Sequence, residues 1–216
     1  MRKFKAIVFD FDGTLAMTME DNFRAWKRAV AEHGLKIKPM DYYPLEGLSV
    51  YEVPRKLFGA YGRETPNPRE LVKTKEVYYK EAHSFAFYPG ALVIIEVLRR
   101  NGMKTAVVTA ALQERLRHTV PDGFLEKFDA LVTGEDTRHG KPSPEPYLKA
   151  VEKLNLRPED CLAVENAPLG IESAKKAGLY CAAVCSTLDR SYLTAADEIF
   201  ASLEDFNNSV IQTMSF

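Results

Sequence analysis

Residues 7–15 read Ile-Val-Phe-Asp-Phe-Asp-Gly-Thr-Leu, and their reading decides the fold. An apolar, β-forming run from Ala6 to Phe9 stops at two carboxylates, Asp10 and Asp12, followed by Gly13 and Thr14. The two acids therefore belong at the C-terminal mouth of a buried strand. In an open α/β sheet that mouth is where ligands bind. Two carboxylates so close in apolar surroundings repel each other, and a cation, a shared proton or a reaction is needed to make them tolerable. A strand running into an Asp-Gly turn is the plain alternative for this stretch alone.

Outward from that strand the texture changes twice. Glu20 to Gly34 has helical spacing, with Phe23, Trp26, Val30 and Ala31 on one face and Gly34 as a stop. Residues 35–85 continue as short helical pieces broken by prolines and glycines, without an alternating strand. From Tyr88 onward strands and helices alternate: strands at 104–109, 130–133, 161–165 and 180–184 and a weak one at 199–200, with helices at 90–101, 112–120, 144–155 and 169–177. Repeated β-then-α units imply an α/β fold with a doubly wound, Rossmann-like parallel sheet covered on both faces. The expected division is a catalytic core at 1–15 and 87–216, with an inserted helical-bundle cap at 16–86.

Bulk properties narrow the function. The 216 residues suffice for one such core and its insert. With 29 basic and 30 acidic residues the net charge is -1, and no basic stripe suggests nucleic acid. The most apolar stretch, Ala91 to Leu98, is too short to span a bilayer. The first strand follows the N-terminus closely, so no signal peptide is expected. Cys161, Cys181 and Cys185 read as free thiols of a cytoplasmic protein. No nucleic-acid or membrane partner is expected, and a monomer is favoured, with a dimer compatible.

Each core strand carries polar groups at its C-terminal end. The first has Asp10 and Asp12, the second Thr109, the loop after the third Gly140-Lys141-Pro142, and the fourth Glu165-Asn166. In a parallel sheet these converge on one rim. Acids, a hydroxyl and a lysine together suit a divalent cation and a phosphate, with Thr109 donating to a phosphoryl oxygen and Lys141 neutralising charge. Hard oxygen ligands without nearby His or Cys favour Mg²⁺ over zinc.

The order and spacing of these four patches resemble the haloacid-dehalogenase-like superfamily, in the branch with a helical cap after the first strand. The motifs are Asp10-Phe11-Asp12-Gly13-Thr14, Thr109, Lys141 in Gly-Lys-Pro-Ser-Pro-Glu-Pro-Tyr, and Glu165-Asn166-Ala-Pro-Leu-Gly-Ile. The resemblance implies Asp10 as the nucleophile, forming an aspartyl-phosphate, and Asp12 as the acid/base. It implies Mg²⁺ held by Asp10, by Asp12 through its backbone carbonyl, and by Glu165 and Asn166. Thr109 with Ala110, Lys141 and the cap residue Lys75 would contact the substrate. Two departures stand out: the last motif usually reads Glu-Asp, and Met17 stands where an acid is common.

Within the family, Asn22-Phe-Arg-Ala-Trp-Lys27 is similar to the β-phosphoglucomutase group, which carries His where this chain has Asn22 and a cap Arg where Val50 falls. Both substitutions weigh against a phosphosugar mutase. The expected function is a Mg²⁺-dependent phosphatase acting on a small phosphorylated metabolite of sugar phosphate or phosphoglycolate type. The alternatives are a β-phosphoglucomutase-like mutase and, further off, a signalling domain that accepts phosphate without turnover.

Overall fold

The computed structural model describes residues 4–214. Six parallel strands form one sheet: β1 (Ala6–Phe9), β2 (Lys104–Val108), β3 (Ala130–Val132), β4 (Cys161–Glu165), β5 (Tyr180–Val184) and β6 (Glu198–Phe200), in spatial order β3-β2-β1-β4-β5-β6. β1 lies at the centre, with Phe9 level with Val107 of β2 and Val164 of β4. The chain order reverses beside it, so the crevice at its C-terminal end is a topological switch point.

Side-chain parity splits the sheet into two cores. Ala6, Val8, Ala106, Val108, Ala163 and Cys181 face α7 (Glu145–Lys153) and α8 (Pro168–Lys176). Ile7, Phe9, Val107, Val164 and Ala182 face α5 (Ala91–Arg100), α6 (Gln113–Thr119) and α9 (Leu203–Met214). Burial on both faces is why these strands read as nearly unbroken apolar runs. The sequence reading stopped at Phe200 and missed α9. Its Leu203 and Phe206 cover the second face, but Asn207-Asn208-Ser209 interrupts the apolar spacing.

Between β1 and α5 lie α1 (Met19–Ala31), α2 (Pro39–Tyr42), α3 (Val53–Ala60) and α4 (Pro68–Ala82). They share an apolar cluster of their own around Trp26, Leu57, Phe58 and Leu71, against which the half-buried Leu112 and Leu169 of the core pack. Entry and exit run side by side. Ala16 bridges Phe87 in antiparallel fashion, the Met17 amide donates to the Ala86 carbonyl at 2.8 Å, and the Tyr88 amide to the Leu15 carbonyl at 3.0 Å. No helix among the described residues is long and apolar enough to cross a membrane.

Candidate active site

The turn after β1 is shaped by Gly13. Its φ of +88° is a conformation that side chains rarely adopt, and a Cβ there would sit 2.1 Å from Asn166 Nδ2. This turn aims Asp10 and Asp12, both almost fully buried, in different directions.

Asp10 points to the β4 side. Its Oδ1 accepts from Lys141 Nζ at 2.6 Å, and the same ammonium donates to Glu165 Oε1 at 2.6 Å. Glu165 also accepts from the Tyr147 hydroxyl at 2.7 Å and from the Asn166 amide at 3.1 Å. Burial pushes the Asp10 carboxyl up and the charge of Glu165 adds to it, against the pull of Lys141. For Lys141 burial works downward, but Asp10 and Glu165 outweigh it and keep the ammonium charged. Asp10 Oδ2 is buried without a hydrogen-bond partner.

Asp12 points toward α6 and the helical insert. Arg115 grips it with both guanidinium nitrogens, at 3.0 Å to Oδ1 and 2.7 Å to Oδ2. Thr18 Oγ1 donates at 2.6 Å and Asn22 Nδ2 at 3.2 Å, both to Oδ1, while the Thr109 hydroxyl donates to Oδ2 at 3.3 Å. Burial alone would raise this carboxyl; Arg115 and Thr18 more than offset it and hold it at about 2. The pair therefore differ in kind: one carboxylate shares a lysine with a third acid, and the other is locked by a guanidinium.

The remaining residues singled out by the sequence fall around these two. Thr109 accepts from the Ala111 amide at 3.0 Å, fixing its hydroxyl toward Asp12. Thr109, Ala110 and Lys141 line a cavity of about 30 Å³ together with Gly47 and Ser49 of the insert. Asn166 receives the Thr14 hydroxyl at 3.3 Å and donates to Thr187 at 3.1 Å. Lys75 is buried on α4, where it donates to Asn22 Oδ1 at 2.7 Å and Glu76 Oε1 at 3.0 Å. Burial first, then the charge of Arg115, lowers it to about 8. It reaches Asp12 through Asn22, and its ammonium faces no open space.

Two charged residues of the site are absent from the sequence reading. Arg115 occupies the buried face of α6, four residues from both Ala111 and Thr119, so its signal was a charge at an apolar spacing. Glu46 lies buried in the loop between α2 and α3, where its Oε2 accepts from the Tyr42 hydroxyl at 2.8 Å. Burial, followed by the charge of Asp12, raises it to about 7.

Among the described residues no group of three or more His, Cys, Asp and Glu side chains forms a ready-made metal cage. The donor set nevertheless suits Mg²⁺, which keeps several waters and asks for few carboxylates. Asp10 Oδ2 is the orphaned buried atom such a cation would satisfy, with Glu165 joined to Asp10 through Lys141 and Asn166 next in the chain.

The model of the family described as haloacid dehalogenase-like hydrolase matches residues 7–184. Hexitol phosphatase A of Escherichia coli (strain K12) is 30% identical over 93% of this chain and 92% of its own. Validoxylamine A 7'-phosphate phosphatase of Streptomyces hygroscopicus subsp. limoneus is 27% identical over 94% of this chain and 95% of its own. The fold is shared with β-phosphoglucomutase from Clostridium difficile, at a TM-score of 0.85 and 23% identity, covering 98% of this chain and 96% of that one. With its strand-end acids, lysine and parallel sheet in the arrangement described, the chain belongs to the haloacid dehalogenase-like hydrolases and is an enzyme of their phosphatase kind.

Proposed function

We propose that the protein hydrolyses a small phosphate monoester of sugar or polyol type through an aspartyl-phosphate on Asp10. The observation that carries this reading is the division of labour between the two acids: Asp10 held by Lys141 beside an unpartnered Oδ2, and Asp12 fixed on the opposite side by Arg115, Thr18 and Asn22.

In the first step an Asp10 carboxylate oxygen attacks phosphorus, a P–O bond forms, and the ester P–O bond breaks. The departing alkoxide takes a proton from Asp12, which must first be released by Arg115 and protonated, because in the grip of Arg115 it is ionised. In the second step water attacks the phosphorus of the aspartyl-phosphate and gives its proton to Asp12, releasing phosphate and regenerating Asp10. Lys141 and the Thr109 hydroxyl hold phosphoryl oxygens, which suits a reaction dominated by positioning and charge stabilisation. Mg²⁺, held by Asp10, the Asp12 backbone carbonyl, Glu165 and Asn166, would supply screening between the nucleophile and the phosphate dianion. Lys75 would act through Asn22 on the posture of Asp12. Residues 16–86 serve as a cap that excludes water for the first step and admits it for the second. Three cysteines without disulfides accord with a cytoplasmic location.

A mutase is the second reading, favoured by the shared fold with a β-phosphoglucomutase and by the similarity of Asn22–Lys27 to that group. The test is phosphate release from p-nitrophenyl phosphate. Wild type is expected to turn over with Mg²⁺ and to stop with a chelator, and Asp10→Asn to lose at least about 10³-fold in kcat while keeping its fold. Turnover by Asp10→Asn equal to wild type would sink the reading. Isomerisation of β-glucose 1-phosphate faster than phosphate release would favour the mutase.

A further inference from the structure

The cap meets the acid pair through the loop 45–50, Leu-Glu-Gly-Leu-Ser-Val, whose one charged side chain is Glu46. The loop is pressed against the catalytic rim. Gly47 has φ +92°, and a Cβ on it would lie 2.8 Å from Lys141 Cδ; a Cβ on Gly140 would lie 3.0 Å from the Ser49 nitrogen. Glu46 therefore stands next to the point where the cap touches the lysine that holds Asp10. Its charge reaches Asp10, and Asp12, Arg115 and Lys141 act on it in turn.

The cations nearby are already committed. Arg115 is bidentate on Asp12, Lys141 bridges Asp10 and Glu165, and Lys75 is taken by Asn22 and Glu76. Val50 of the same loop brings no charge. Among the described residues that line the small cavity, Arg138 is an exposed cation that an anionic group could use. The loop that lines this cavity through Gly47 and Ser49 carries, directly before Gly47, a buried carboxyl, Glu46, tied to the Tyr42 phenol at 2.8 Å. Such a pair accepts from and donates to hydroxyls and repels a second anion.

We propose that Glu46 is a specificity-determining residue: it takes hydroxyls of an uncharged polyol or sugar borne on the phosphate, and it disfavours esters whose leaving group carries a carboxylate or a second phosphate. The inference rests on the phosphatase reading and deepens it by naming the residue that selects against esters of phosphoglycolate type.

The experiment compares sorbitol 6-phosphate with 6-phosphogluconate, two six-carbon esters that differ at C1 as alcohol and carboxylate. p-Nitrophenyl phosphate serves as the reference, and the assay is run near pH 8, above the value of about 7 at which Glu46 is held. Wild type should favour the alcohol by about 30-fold or more in kcat/KM, as expected for a like charge brought close in a partly buried site. Glu46→Gln should shrink that ratio at least fivefold, and Glu46→Lys should bring it below one, each ratio being taken within one variant so that a general loss of turnover cancels. Arg138→Ala should leave the alcohol preference intact. A wild-type ratio near one, or a ratio unmoved in both Glu46 variants, would overturn the assignment while leaving the phosphatase reading standing. The wild-type ratio is decisive even where a variant does not fold. Failure of wild type on all three esters would remove the phosphatase reading itself, and this inference with it.

Discussion

At the scale of single residues, the site is governed by charges that cannot be left alone. Arg115 and Asp12 are both buried, so each is tolerable only because of the other. Arg115→Met should destabilise the protein by about 3–5 kcal/mol in urea unfolding, the usual consequence of stranding a buried partner. Asp12→Asn with Arg115→Met should cost clearly less than the sum of the two single changes. Additive losses would show that the pair is not an energetic unit. Glu46 makes a pH-dependent prediction. Its folded value of about 7 lies above the ordinary 4.5, so the folded state binds more protons between those limits. Its stabilising contribution is complete below about pH 4.5 and is lost as pH rises through about 7, a fall of about 3 kcal/mol at most. Urea midpoints at pH 5 and pH 8 should show that fall in wild type and a flatter profile in Glu46→Gln.

At the scale of elements, the ends of strands and the starts of helices bring the chemistry together. β4 delivers Glu165 to the rim, and α8 passes so close behind it that a Cβ on Gly170 would lie 2.0 Å from Glu165 Oε1. Ordinarily Gly→Ala inside a helix gains up to about 1 kcal/mol in propensity. Here the methyl has to displace the carboxylate from Lys141 and Tyr147, so Gly170→Ala should lower kcat at least tenfold and raise the Mg²⁺ concentration needed for half-maximal activity. Magnesium titrations of phosphate release would read this directly; an unchanged half-saturation point would mean that Glu165 takes no part in holding the cation. α6 follows the same logic from the other side, since its buried face carries a guanidinium to Asp12 from 103 positions away in sequence.

For the whole molecule, the two helical layers and the insert meet over one crevice. The insert is tethered by the paired segments at Ala16 and Phe87 and rests on Leu112 and Leu169. Replacing both leucines with serine removes apolar contact from the seam alone, worth about 1–2 kcal/mol of docking. KM for p-nitrophenyl phosphate should then rise about tenfold with little change in the urea midpoint. A matching fall in the midpoint would instead make the seam part of the global core.

Much of this was legible along the chain because its causes are local. Short unbroken apolar runs mark strands buried on both faces, apolar residues at three and four mark helices, and a carboxylate directly after such a run belongs at a strand end. Those rules gave the parallel sheet and its strands, though not α9, and they put Asp10, Asp12, Thr109 and Glu165 at strand ends and Lys141 in a following loop, which the fold does bring to one rim. They could not say which acid faces which cation. Asp10 with Lys141 and Asp12 with Arg115 are settled by how far each helix and loop leans over the sheet, a property of packing between distant segments. The same holds for Lys75, whose charge is spent within the insert, and for Glu46, an ordinary loop carboxylate in sequence. Packing of the insert against the rim makes it a buried acid whose charge reaches Asp10, because a charge acquires its meaning only from the groups folding brings within reach.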